Sequence, residues 1–227
     1  MSFVLHFSRG STATIPHAVI EEAGFPYQLK PLDQATHEAG ILGQAEIEVS
    51  TRVPALQDGT LVVFETGAIV LHLLTKSGAA HLMPPYGSND HARFLQWLFY
   101  LTTTPKMAIL EAVHPELWTG DWDMQRRLRE SAEIKLERQC DFLDANLSQE
   151  SFLPSGFSAL DIYLTEFARW TRSLGQPMWL WPNIARIVDL TRARPAYQKM
   201  LEMQDLKWPT AQPKPLDWQD KINQYWS

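Results

Sequence analysis

Apolar residues recur every three or four positions at Met124, Leu128, Ala132, Leu136, Cys140, Leu143 and Leu147. That spacing lays one stripe along one helix face and predicts a single long helix. A second helix start is sharper: Ser158-Ala159-Leu160-Asp161 fits a capping box with Asp in place of the usual Glu, and Phe157 with Ile162 fits a hydrophobic staple. This helix should run to Leu174 and stop at Gly175. Two more helices are expected at residues 183–192 and 195–203, and another, rich in Phe94, Leu95, Trp97 and Leu98, at about residues 90–110.

Before residue 83 the pattern is different. Strand-like runs at residues 3–7 and 27–32 flank a helical segment that ends in Glu21-Glu22-Ala23-Gly24, a C-cap context. Runs at residues 55–57 and 61–64 are joined through Asp58-Gly59, a strong hairpin signal, and a helix at residues 66–76 closes near Gly78. The order β-α-β then β-β-α is that of a thioredoxin-like α/β domain, with a poorly patterned connection at residues 34–50. Pro84-Pro85 and Gly87 mark residues 83–89 as a linker. The expected organisation is therefore a thioredoxin-like domain at residues 1–82, a linker, an all-α C-terminal domain at 90–206 and a tail at 207–227. That tail carries Trp208, Leu216, Trp218, Ile222, Tyr225 and Trp226, enough apolar bulk to dock on the protein. The residue distribution agrees: all nine tryptophans lie at Trp97 or later, and seven of eleven glycines at or before Gly78.

Composition narrows the function. With 227 residues and 45% apolar content the chain can bury a core, and 20 Lys plus Arg against 26 Asp plus Glu give a net charge of -6. This argues against nucleic acid or an anionic membrane as a partner. No apolar run is long enough to span a membrane, and nothing resembles a secretory signal. A single cysteine, Cys140, excludes an internal disulfide, a CxxC pair and a cysteine-rich zinc site, and points to the reducing cytoplasm. Cys140 falls in an apolar stripe and reads as a core residue. The seven histidines form no i, i+4 pair, so no metal is expected.

A thioredoxin-like domain without cysteine can do thiol chemistry only with a thiol it binds. Arg52-Val53-Pro54-Ala55-Leu56-Gln57-Asp58-Gly59, followed by Phe64-Glu65-Thr66-Gly67-Ala68-Ile69, closely resembles the glutathione-binding signature of the glutathione S-transferase superfamily. The resemblance implies a cis Val53–Pro54 bond that presents the Val53 backbone to glutathione. It places Thr66 at a helix N-terminus facing the γ-glutamyl carboxylate, and Glu65 against the ammonium. The stretch from Ser8 through Tyr27, and the landmarks from Phe157 to Ala196, are similar to bacterial members, especially the beta class. The likeness covers about residues 3–206 and is weakest at 34–50, where Glu48-Val49-Ser50-Thr51 stands for the usual Asn-Pro-x-Gly.

Where the beta class has its catalytic cysteine this chain has Thr12, and Ser11 matches the hydroxyl of serine-type members. Either could donate to a thiolate near a helix N-terminus, and Ser11 is the preferred candidate. The resemblance also sets His37 near the glycine carboxylate and Lys106 where the beta class turns a histidine toward glutathione. Both positions suit plain surface residues as well. Glutathione is thus the expected co-substrate, and the second a small hydrophobic electrophile in a pocket for which Phe7, Tyr100, Met107, Trp118 and Trp122 are candidates. The family implies a homodimer and a transferase. A glutathione-dependent isomerase or a non-catalytic binding protein is the alternative, and Ser158 and Asp161 carry no chemistry.

Overall fold

The computed structural model of the chain describes residues 2–32, 53–76 and 78–209. His37, Arg52, the connection at 34–50 and the tail beyond Pro209 lie outside the described residues.

Strands β1 (Phe3–Phe7), β2 (Tyr27–Pro31), β3 (Ala55–Asp58) and β4 (Leu61–Phe64) form one sheet in the order β2-β1-β3-β4. β1 runs parallel to β2, with Leu5 opposite Leu29, and antiparallel to β3, with Leu5 opposite Leu56. Helix α1 (Thr14–Ala23) supplies the crossover and ends on Gly24 in the left-handed conformation, as the sequence implied. Asp58-Gly59 makes the hairpin, and α2 (Thr66–Leu74) follows, two residues shorter than expected. Leu5, Ile15, Val19, Leu56, Ile69 and Leu73 are fully buried and belong to the core.

The remainder is helical: α3 (Asn89–Thr103), α4 (Pro105–Val113), α5 (Trp122–Asn146), α6 (Ala159–Trp170), α7 (Pro182–Arg192) and α8 (Pro195–Met203). The architecture is thus a thioredoxin-like domain followed by an all-helical domain. Three expectations need correcting. The continuous helix at 90–110 is two helices, the first ending at Thr103 and the second opening on Pro105, whose missing N–H interrupts the helical hydrogen bonds at that point. The helix from Ser158 ends at Trp170 and continues only as a 3-10 turn to Ser173. On α5 the stripe holds from Ala132 through Leu143, but Met124 is exposed while Gln125 and Arg129 are buried. The first turns are drawn round by polar partners: Gln125 donates to the Thr119 carbonyl at 2.8 Å and Arg129 to the Ser173 carbonyl at 3.1 Å.

The capping box is complete. The Asp161 carboxylate accepts from the Ser158 N–H at 2.8 Å and also from the Phe152 N–H at 2.7 Å, so it fastens the preceding loop as well as the helix. Burial raises its pKa to about 6 against those bonds. Cys140 is buried, and burial pushes its thiol above the ordinary range, which makes it inert. Helix α1 packs on α2, α6 and α8 and is therefore the seam between sheet and helices.

Candidate functional site

The sheet register gathers the signature at one end. His6 lies opposite Ala55, and Ala55 opposite Phe64. The turn after β1, the Val53–Pro54 bond before β3 and Glu65 after β4 therefore emerge from the same edge. The Val53–Pro54 bond is cis. Glu65 has φ 67 and ψ 121, a positive φ that a residue with a Cβ adopts only when its surroundings enforce it, and its side chain is exposed. Thr66 opens α2 and is buried. The buried Tyr163 hydroxyl of α6 would lie 3.9 Å from a Cβ at Gly67, so the second domain backs this helix start. Burial, and then the Glu65 charge, raise the Tyr163 pKa.

Between β1 and α1 the chain turns through Gly10, whose φ of 70 needs glycine, and a Cβ there would come within 3.4 Å of Leu206. The turn is fastened on both sides. Arg169 Nη2 donates to the Gly10 carbonyl at 3.3 Å, the Gly10 N–H donates to Gln204 Oε1 at 3.4 Å, and Arg9 pairs with Asp205 at 2.6 Å. Ser11 Oγ accepts from the Ala13 N–H at 3.3 Å, which fixes the oxygen and leaves its hydrogen available. Regular helix begins only at Thr14. The N–H groups of Ser11, Thr14 and Ile15 are bonded to the carbonyls of Ser8, Ser11 and Thr12. Of the N–H groups beside the hydroxyls, that of Thr12 has no hydrogen bond among the described residues.

Ser11 and Thr12 open on a cavity of about 270 Å³ that Lys106, Ile109, Leu110 and Val113 of α4 also line. Trp170, Arg172 and His114 complete it together with Gly10. Lys106 thus shares a cavity with both hydroxyls. The large apolar candidates do not. Phe7 sits in β1 opposite Pro31, Tyr100 packs on Trp97 and Phe142 and lines a separate hollow with Ile134, Met107 and Trp118 are exposed, and Trp122 opens α5. The apolar wall is instead Ile109, Leu110, Val113 and Trp170. For Ile109, Leu110 and Val113 the signal in sequence is a short stripe following Lys106 at i+3, i+4 and i+7, on the face that α4 turns to the β1–α1 turn.

Among the described residues no group of three or more His, Cys, Asp or Glu could hold a metal ion, and no helix is long and apolar enough to cross a membrane.

A thioredoxin-like sheet joined to an all-helical domain, with a hydroxyl-bearing turn at their seam, defines a class in which comparison with known proteins agrees. Residues 3–75 match the family model described as the N-terminal domain of glutathione S-transferase. A wheat protein named glutathione S-transferase 1 is 28% identical over 96 residues, 42% of each chain, and protein URE2 of Eremothecium gossypii is 28% identical over 188 residues, 76% of this chain and 51% of its own. The chain thus spans about half the length of these curated relatives. The structure of a sphingomonad glutathione S-transferase complexed with glutathione superposes with a TM-score of 0.75 at 26% identity, covering 90% of this chain and all of the other. Residues 3–75 thus carry a glutathione S-transferase N-terminal domain, and the fold of the described residues is that of the glutathione S-transferases.

Proposed function

We propose that the protein is a glutathione transferase: it binds glutathione, stabilises its thiolate and adds the sulfur to a small electrophile with an apolar body. The observation that carries this reading is the cavity holding Ser11, Thr12 and Lys106 beside an apolar wall, at the sheet end where Glu65 and Thr66 start α2. The Val53 backbone pairs with the extended tripeptide as an added strand would. The α2 N-terminus takes the γ-glutamyl carboxylate and Glu65 the ammonium. The Ser11 hydroxyl, its oxygen already held by Ala13, donates to the sulfur, and the Lys106 ammonium adds positive charge in the same cavity. Both favour the thiolate, the attacking form. Arg52 and His37 remain candidates for the rest of the tripeptide. We read the active form as a cytoplasmic homodimer, and no metal enters the reaction.

Calorimetric titration with glutathione tests the reading. Wild type should bind, and Glu65→Ala should bind about tenfold or more weakly, since a charge-assisted hydrogen bond contributes roughly 1.5 to 3 kcal/mol. No binding by wild type would refute the reading. Binding without turnover of any electrophile would shift it to a glutathione-binding protein.

A further inference from the structure

The cavity's charges are unlike its walls. Ile109, Leu110, Val113 and Trp170 are apolar, yet Lys106, His114 and Arg172 also line it, and among the described residues no acidic side chain does. His114 meets Glu116 at 2.9 Å through Nδ1. Lys106, half-buried near the start of α4, has no ion-pair partner among the described residues. Arg172 donates from Nη1 to the Arg169 carbonyl at 3.2 Å and likewise meets no carboxylate among them. The buried Glu166, whose charge also acts on Arg172, is hydrogen-bonded to Arg169, Thr14 and Tyr197. Several cations elsewhere pair with carboxylates, as Arg93 does with Asp90, Lys135 with Glu111, Arg194 with Glu22 and Lys199 with Glu21; what sets Lys106 and Arg172 apart is that they share one apolar cavity. Two cations without an ion-pair partner among the described residues thus meet at one largely apolar cavity, where an anionic ligand would complete them. Arg172 has the more to gain, because partial burial and the like charge of Arg169 together outweigh the attraction of Glu166 and work against its own charge.

We propose that Lys106 and Arg172 form an anion subsite, so that the second substrate is a compact apolar molecule bearing one carboxylate, in the simplest case an arylcarboxylate electrophile. This rests on reading the cavity as the place where glutathione meets its co-substrate. A guanidinium takes a carboxylate through two parallel N–H bonds and an ammonium takes it as a point charge, so the pair fixes orientation as well as charge. Ile109, Leu110, Val113 and Trp170 cover the apolar body. A cavity of about 270 Å³ has room for one substituted ring beside the sulfur and not for an extended chain.

The test uses two unreactive probes of nearly equal shape, 3-nitrobenzoate and 3-nitrobenzamide, titrated calorimetrically into the full-length protein with and without saturating glutathione. Wild type should bind the benzoate about tenfold more tightly than the amide, equivalent to ~1.4 kcal/mol. Arg172→Gln and Lys106→Gln should each reduce that preference several-fold, and the double variant should abolish it; thermal melts of the variants confirm that they are folded. Equal affinity of wild type for the two probes would overturn the proposal, as would a preference that survives in the double variant. Loss of benzoate binding on saturation with glutathione would also overturn it, because the cations would then belong to the tripeptide's own carboxylates. If glutathione fails to bind while the variants abolish the benzoate preference, the anion subsite stands and the transferase reading falls.

Discussion

The hydroxyl-bearing turn is held from the second domain by a buried charge, and removing that charge should be expensive. Glu166 of α6 is fully buried, and Arg169, one turn along, is nearly so. Glu166 Oε2 accepts from Arg169 Nη2 at 2.6 Å and from Thr14 Oγ1 at 2.5 Å, and Oε1 accepts from the Tyr197 hydroxyl at 2.5 Å. One carboxylate thus ties α6 to the first turn of α1 and to α8, while Arg169 reaches the Gly10 carbonyl. Glu166→Gln keeps the volume and one acceptor and deletes the charge, leaving the Arg169 guanidinium buried without its counter-ion. Breaking a buried pair from one side costs about 3 to 5 kcal/mol. In a chain of this size each kcal/mol moves the melting temperature by about 2–4 °C, so a fall of roughly 6–20 °C is expected by scanning calorimetry at pH 7. Glu166→Gln with Arg169→Met removes both charges and should recover part of the loss, since an apolar replacement of the whole pair is often neutral. A single variant melting within 2 °C of wild type, or a double variant no better than the single, would refute the argument that the charge holds the turn.

Three other outcomes are expected. Ser11→Ala should raise the pKa of bound glutathione by about one to two units and Thr12→Ala by less, read from thiolate absorbance across pH; the reverse order would move the role to Thr12. Burial pushes His17, which accepts from Gln204 Nε2 at Nδ1, down to about 4 from an ordinary 6.5, so below pH 6.5 the unfolded chain takes a proton that the folded one refuses. Stability should therefore fall between pH 6.5 and 4, by roughly 3 kcal/mol in full, and His17→Gln should lose that component in urea titrations. Light scattering at micromolar concentration should give about twice 26.0 kDa, with Phe99, Leu61 and Phe64 as exposed apolar groups for an isologous contact and Phe94 and Leu98 kept in the protomer's own core; a monomer mass would reject the dimer.

What the sequence made legible was local. The Ser158–Asp161 box, the Gly24 cap and the Asp58-Gly59 hairpin are written within a few residues, and each formed where its pattern stands. The break at Pro105 was legible too, in three consecutive threonines before a proline, although the apolar content on both sides masked it. The cavity wall was not. Phe7, Tyr100, Met107, Trp118 and Trp122 stand out in sequence by apolar bulk, but bulk says only that a side chain is better out of water. Tyr100 satisfies that against Trp97 and Phe142, within its own domain.

The polar scaffold of the site was least legible, for a reason that separates it from the core. An apolar stripe names its own destination, because any apolar surface will cover it, and helical period therefore predicts burial without knowing the partner. A buried carboxylate has no such freedom. Glu166 is tolerable only where Arg169, Thr14 and Tyr197 converge, and Thr14 lies 152 positions away in sequence. Within its own helix Glu166 next to Phe167 and Arg169 reads as a solvated i, i+3 pair of the kind that contributes a few tenths of a kcal/mol. Only the packing of α6 against α1 turns it into the counter-ion of a buried guanidinium that holds the Gly10 turn. The same packing leaves Arg172, three residues beyond Arg169, facing the cavity without a carboxylate of its own among the described residues. One helix end thus supplies both the anchor of the hydroxyl turn and a free cation beside it, and a ligand's charge is selected by which arginine the protein has left unpaired.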